Sequence, residues 1–347
     1  MTRISKQVSI CLVLLALSAV ARSADVKTSG VIFGQFGQYL SDRSSGGVFV
    51  QGRDEFQISR IYLTAEAKYG SQVKSKVVLE GNTTQTPTTW VGSNTVFLKN
   101  AFLEYTDLYP GGNLAIGLIG TSWIGYEEGI WGRRFVAKVM VDEDKTLPSA
   151  DKGISIRGKI ADGIVDYDLA LVNGEGVAAG EKAGGDGNKK DGFGRVSIVP
   201  FAWIEQMGGV KLHGYVHQGR SAEGKARLRD RYIGGASFKN TRMHVMGSYY
   251  WKVDGDGKTE VKGKGYSVHG SVNLPLNFSV FGLMDRADPS SVALGDTYVR
   301  SIYGVDYLVY DGIRVALDSQ TLNRRENSSG KKDRYESLFL LHLEAKF

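Results

Sequence analysis

A row of alternating polar residues is the first place in this chain where chemistry could occur. They share one face of an extended stretch: Lys211, His213, Tyr215 and His217. His244 falls in a later stretch of the same kind. Such histidines can act as the base of a Ser/His site or as metal ligands. No nucleophile motif accompanies them, and five histidines in 347 residues are few. The pattern therefore favours a polar wall or an interface over a catalytic site.

A short glycine-rich motif imitates part of a calcium-binding loop. Asp254-Gly-Asp-Gly257 has two of the expected acids, but no glutamate stands at the spacing that would close the loop. We interpret it as a turn. Cys11 is the single cysteine, so the chain has no basis for a disulfide framework or a metal-thiolate site. The sequence predicts no catalytic residue, no metal site and no cofactor.

The stretch from Ser122 to Asp151 mixes aromatic and charged residues more densely than a simple surface loop does. Interleaved with its apolar residues are the charged residues Glu127, Glu128, Arg133, Arg134, Lys138, Asp142, Glu143, Asp144 and Lys145. The helical spacing of Phe135, Val139 and Met140 predicts a short amphipathic helix here. If a barrel encloses the stretch, the aromatic side should bury against the wall and the charged side should face the lumen.

The elements that would hold this stretch are predicted from a two-residue period. From Tyr335 to Phe347, one set of alternate residues is almost wholly apolar, with an aromatic residue at each end, and the other set carries every charge. This pattern predicts a β-strand about ten residues long with one apolar face, as a membrane-crossing strand requires. The closing strand of a soluble sandwich is the alternative.

The same period divides the rest of the chain into sixteen strands, joined alternately by short turns and long loops. An even strand number and this alternation are typical of an outer-membrane barrel. Counts of fourteen or eighteen fit the sequence as well, because strand boundaries are uncertain by a few residues. We predict an all-β fold, namely a transmembrane antiparallel β-barrel with a long, inward-folded loop after the fifth strand.

The beginning of the chain predicts export. Residues 1–21 combine Arg3 and Lys6, an apolar run from Val8 to Val20 and a small-residue cleavage site at Ala21, as in a signal peptide. Residues 22–347 are then one outer-membrane β-barrel domain. No later apolar run is long enough for a transmembrane helix. The net charge of +6 is spread evenly, which argues against nucleic-acid binding.

Three segments resemble the phosphate-selective (O/P-type) porins of Gram-negative bacteria: residues 56–68, 150–158 and 169–175. The third loop of porins, between strands five and six, folds into the pore, and the 122–151 stretch has that ordinal place. The terminal Phe347 also resembles the last residue of bacterial outer-membrane barrels, where it serves as an assembly signal. The resemblance implies a homotrimeric channel that passes small hydrophilic solutes or anions. It also implies contact with outer-membrane lipid, lipopolysaccharide and the barrel-assembly machinery.

Two groups of charged residues are the candidate pore residues. At the constriction the candidates are Arg133, Arg134, Lys138, Glu127 and Glu128. On the lumen wall they are Arg60, Lys74, Lys76, Arg157, Lys159, Arg300 and Arg314. Basic residues slightly outnumber acidic ones on the predicted wall, which predicts weak anion preference without the dense basic ladder that phosphate selectivity needs. Dominance of Glu127 and Glu128 would give cation preference instead.

Two other classes of outer-membrane barrel remain as alternatives. One is a barrel enzyme of the lipase or protease type, and the other is a non-conducting structural or adhesion barrel. Single-channel conductance separates both from a porin.

Overall fold

The computed structural model describes residues 25–42, 54–86, 89–174, 176, 190–204, 207–222, 226–255, 259–291, 296–324 and 334–347. The predicted signal segment 1–21 and the end of the calcium-like motif lie outside these residues. Within them, no helix has the length and apolar character needed to span a bilayer.

Sixteen strands make up nearly all of the described chain. They are β1 Asp25–Asp42, β2 Asp54–Tyr69, β3 Val73–Thr86, β4 Thr89–Tyr109, β5 Gly112–Gly120, β6 Ala150–Ile160, β7 Val165–Val172, β8 Asp191–Ile198, β9 Val210–Ala222, β10 Ala226–Lys239, β11 Met243–Gly255, β12 Glu260–Asn273, β13 Phe278–Asp288, β14 Tyr298–Tyr310, β15 Ile313–Arg324 and β16 Arg334–Lys346. Each strand pairs antiparallel with its sequence neighbours, and β1 pairs with β16. This confirms the predicted antiparallel barrel and its strand number.

Side chains alternate between two unlike faces, as the two-residue period predicts. On β12 the outward Tyr266 and Val268 are exposed, whereas the inward Ser267 and His269 are buried. On β16 the outward Phe339 and Leu341 are likewise exposed, and the inward His342 is buried. An apolar face that is left exposed all around a closed sheet needs an apolar solvent outside it.

The chain between β5 and β6 forms two short helices, α1 Ser122–Trp131 and α2 Met140–Glu143. The prediction of a helix through Phe135, Val139 and Met140 is therefore wrong. Gly132 ends α1 in the left-handed conformation, with φ at 64°, and residues 133–139 are non-helical. We call residues 122–147 the inner segment.

The two-residue period also predicts a strand over residues 192–204, which is too long. β8 ends at Ile198, and residues 200–204 form turns. Pro200 has no backbone N–H to donate to a ladder, which explains why pairing stops here.

The seam between β1 and β16 contains an unusually close contact. Gly30 and Phe347 exchange backbone hydrogen bonds, of 2.7 Å from the Gly30 nitrogen and 3.0 Å from the Phe347 nitrogen. A Cβ on Gly30 would lie 2.2 Å from the Phe347 ring. Only glycine leaves room for the ring to lie across β1 at this position.

Candidate functional site

The inner segment contacts inward-facing residues around most of the barrel. Phe135 lies between Phe33 of β1 and His342 of β16, with ring centroids 6.4 Å apart in both pairs. Trp123, on the opposite side, packs against Tyr215 of β9 at 6.0 Å. Because it contacts inward-facing residues on opposite sides of the closed barrel, the segment lies inside the barrel.

One side of the inner segment is buried against β11 to β14. The indole Nε1 of Trp123 donates to Glu127 Oε2 at 2.7 Å, and Ser248 donates to Glu127 Oε1 at 3.1 Å. The fully buried Trp131 contacts the rings of His269 and Phe281. Burying a carboxylate is tolerable only with such donors. Glu127, a predicted constriction residue, is thus a buried anchor.

Arg133 belongs to the same buried side. Its Nε donates to Asp306 Oδ2 at 2.7 Å, with 4% and 2% of the two side chains exposed. Burial lowers the pKa of Arg133, and Asp306 opposes that effect. With its charge paired and covered, Arg133 does not present a free cation to a solute. We call Trp123, Glu127, Trp131, Arg133 and Phe135 the anchored face.

Wall residues also hold the backbone of the inner segment. Arg300 donates to the Lys138 carbonyl at 2.8 Å and also pairs with Asp285. Arg231 donates to the Thr146 carbonyl at 2.9 Å. Arg300, a predicted lumen-wall residue, therefore positions the segment.

The other side of the inner segment presents charges that keep some exposure. Arg134 pairs with Glu128 at 2.5 Å and with Asp142 at 3.3 Å, and Lys138 lies 3.8 Å from Asp142. Between 12% and 29% of each of these side chains is exposed. We call Glu128, Arg134, Lys138 and Asp142 the pore face.

Inward residues of β2 to β4 complete this charged group. Glu80 forms ion pairs with Arg60 at 3.0 Å and with Lys99 at 2.7 Å. The Lys99 ammonium also lies 5.2 Å from the centre of the Tyr62 ring. We call Arg60, Glu80 and Lys99 the facing wall. Together with the pore face, it brings four cations and three carboxylates together.

The pKa values of the pore face reflect this proximity. Burial raises the pKa of Glu128, and the cations Arg134, Lys99 and Arg60 partly oppose the effect. Burial lowers the pKa of Lys138, and Asp142 opposes it. Glu128 will therefore take up a proton at a higher pH than an ordinary glutamate, and Lys138 will lose one at a lower pH than an ordinary lysine.

The remaining predicted wall residues lie away from this group. Lys74, Lys76 and Arg157 line a cavity near the short-turn end of the barrel. Lys159 faces inward opposite Asp166 beside the β6–β7 turn. Arg314 lies 3.6 Å from Asp306, behind Arg133.

The sequence interpretation missed Lys99, and it did not include Asp142 among the constriction candidates. By strict alternation Lys99 should face outward. In the structure Val78 of β3 pairs with Asn100 of β4, and the next residue, Leu79, pairs with Leu98. Lys99 therefore has no partner position on β3 and is the extra residue of a bulge. Such a β-bulge carries no signal in the hydrophobic period. Asp142 stands out only once its contact with Arg134 is known.

The histidines do not assemble a catalytic triad among the described residues. His213 lies between Ser197 and Ser237, 2.9 Å from each, with no carboxylate bonded to it. His217 contacts Asp191 at 2.9 Å but has no serine partner. The described part of the chain also holds no cluster of three or more metal-binding side chains.

Comparison with known proteins shows likeness in structure alone. No protein-family model matches the sequence, and no curated protein is significantly similar. Among solved structures, an anion-selective porin from Comamonas acidovorans superposes with a TM-score of 0.69 at 13% identity, covering 94% of this chain and 100% of its own. The outer membrane channel DcaP of Acinetobacter baumannii gives 0.67 at 11% identity, covering 94% and 98%.

A third structure, Salmonella typhi OmpF in complex with daunomycin, gives a TM-score of 0.59 at 9% identity, covering 93% and 97%. The fold is that of a sixteen-stranded porin. At these identities the likeness extends to the fold, and function must be argued from the site.

Proposed function

We propose that the protein is an outer-membrane porin, a water-filled channel for passive diffusion of small hydrophilic solutes and ions. Sixteen strands enclose more space than wall side chains fill, and here an inner segment narrows that space. The single observation that carries the proposal is the partly exposed charged group formed by the pore face and the facing wall, in which only Glu80 is buried. Such a group at a constriction sets which ions pass.

Weak anion preference follows from the charges in this group. Four cations against three carboxylates leave one positive charge in excess, and every carboxylate already has a cationic partner. Glu143, the residue after Asp142, is not counted in this group, because it lies 3.9 Å from Arg300. The small excess supports weak preference, and it gives no support to the strong phosphate selectivity expected of an O/P-type porin.

The proposal includes a location and an assembly. The outward apolar face and the predicted signal segment 1–21 support the outer membrane of a Gram-negative cell, where the single barrel domain 22–347 would contact lipid and lipopolysaccharide. Phe347 would serve the barrel-assembly machinery. A homotrimer is supported by one structural neighbour, OmpT of Vibrio cholerae, whose structure is described as a trimer form (TM-score 0.62, 10% identity).

The test is a reversal potential across a planar bilayer that separates two KCl concentrations. Purified protein should form channels whose reversal potential has the sign of weak anion selectivity. A cation-selective sign would overturn the preference but leave the channel. Folded protein without conductance, judged by heat-modifiable migration on SDS gels, would favour a structural barrel or an enzyme.

A further inference from the structure

A second charged site lies on the inner wall near the short-turn end of the barrel. Lys68 of β2 stands directly opposite Lys74 of β3. Like charges in directly opposed positions destabilise a sheet. Among the described residues, neither ammonium group takes part in an ion pair. The wall therefore holds two adjacent cations outside any ion pair, although Lys68 also stands opposite Asp25 of β1 and Lys74 opposite Glu104 of β4.

Nearby charges are paired, but they keep hydrogen-bonding capacity on the same surface. Glu66 pairs with Lys76 at 2.8 Å. Glu104 pairs with Arg157 and accepts from Asn113 Nδ2 at 3.0 Å. A carboxylate has about four lone-pair directions, so each can still accept a hydrogen bond from a ligand.

These groups line one cavity of about 300 Å³. This volume is at the lower end of the range for small-molecule sites. The guanidinium of Arg157 lies 5.4 Å from the centre of the Phe102 ring, which forms part of the lining. The cavity thus offers an anion-binding pair, hydrogen-bond acceptors and a ring surface.

The mixture of groups indicates the class of ligand. Two adjacent ammonium groups match a phosphate monoester, which carries about −1.5 to −2 charges at pH 7. The carboxylates would repel a bare anion but accept hydrogen bonds from hydroxyl groups. We propose that this cavity binds the phosphate monoester of a small polyhydroxy compound, with the phosphate between Lys68 and Lys74 and the hydroxyls toward Glu66 and Glu104.

This site deepens the proposed channel function, since it would hold a solute that has passed the constriction or is about to enter it. Binding and conduction can nevertheless be measured separately. Isothermal titration calorimetry on the folded, detergent-solubilised protein reports on the cavity whether or not the barrel conducts. Bilayer recordings report on the channel.

The probes are glucose 6-phosphate, inorganic phosphate and glucose, titrated into the wild-type protein. Glucose 6-phosphate should bind most tightly, and raising the salt concentration should weaken its binding because the attraction is between charges. Replacing both lysines (Lys68→Gln with Lys74→Gln) should weaken it by about ten-fold or more, as expected for lost hydrogen bonds to charged groups. A matched double variant outside the cavity, Lys239→Gln with Lys264→Gln, should bind as the wild type does.

Equal affinity for inorganic phosphate and glucose 6-phosphate would overturn the assignment of the hydroxyl contacts and leave only a bare anion site. Unchanged binding by the Lys68/Lys74 variant, folded by the gel criterion, would overturn the site itself. Neither result bears on the channel, which fails only if the wild-type protein does not conduct.

Discussion

Two adjacent arginines of the inner segment have opposite environments. Arg133 belongs to the anchored face, buried against Asp306, whereas Arg134 lies on the pore face between Glu128 and Asp142. Glu127 and Glu128 divide in the same way. A buried charge must be matched by its own partner, so it contributes to the position of the segment and little to the field in the lumen. A partly exposed charge would remain available to ions in the lumen. On the proposed channel function, the anchored face would set where the constriction lies, and the pore face would set which ions pass through it.

The largest effect should follow from breaking the anchored face. Arg133→Ala leaves Asp306 buried without its closest partner, a change that typically costs about 3–5 kcal/mol. The inner segment should loosen, giving larger and noisier single-channel currents and a lower temperature of heat modification. Arg134→Ala is the matched control and should cost less, because Glu128 and Asp142 keep some exposure to solvent and Asp142 keeps Lys138 as a partner. Equal losses in the two variants would contradict the division between the faces.

A charge reversal on the pore face should change selectivity with little change in stability. Lys138→Glu turns four cations and three carboxylates into three and four. The reversal potential in a KCl gradient should then change sign, from weakly anion-selective to cation-selective. If the sign persists in a folded variant with normal thermal stability, the pore face does not control selectivity.

A smaller effect concerns pH and the single residue Glu128. Its pKa is raised by burial, so as the pH falls its negative charge is lost above the ordinary value of 4.5. Anion preference should therefore increase on acidification before ordinary glutamates titrate. Glu128→Gln should show the increased preference already at pH 7 and lack the acid-induced step. A step of full size in this variant would assign the titration to another group.

The smallest effect should come from the same reversal of charge outside the constriction. Lys159→Glu changes the inner wall beside the β6–β7 turn, where the side chain is exposed and salt screens its field. Its reversal potential should stay close to the wild-type value. A shift as large as that of Lys138→Glu would mean that the whole wall, and not the constriction, sets selectivity.

The barrel could be predicted from the sequence because its strands repeat one simple pattern. Outward residues such as Phe339 and Leu341 are apolar, inward residues such as His342 are polar, and the period gives the face directly. The inner segment has no such repeat. Its first helix buries Glu127 between two tryptophans, so the apolar spacing that would indicate a helix is interrupted.

The division between Arg133 and Arg134 was also beyond the sequence. Both lie in non-helical backbone between α1 and α2, where side-chain direction follows no fixed period. Their environments are decided by Asp306 on one side and by Glu128 and Asp142 on the other. Asp306 lies 173 residues from Arg133 in the chain, so this partner is known only once the barrel has closed.

The seam between β1 and β16 has a consequence for the time course of folding. Val31 pairs with Lys346, so closure joins residues from opposite ends of the chain. Closing a flexible loop of roughly three hundred residues costs about 5 kcal/mol in chain entropy before the seam bonds form. Such distant contacts make folding slow. Until β16 arrives, both terminal strands present unpaired edges that can join another chain. The protein must therefore be kept from self-association until β16 pairs with β1. The docking of Phe347 over Gly30 completes this pairing and removes the unpaired edges.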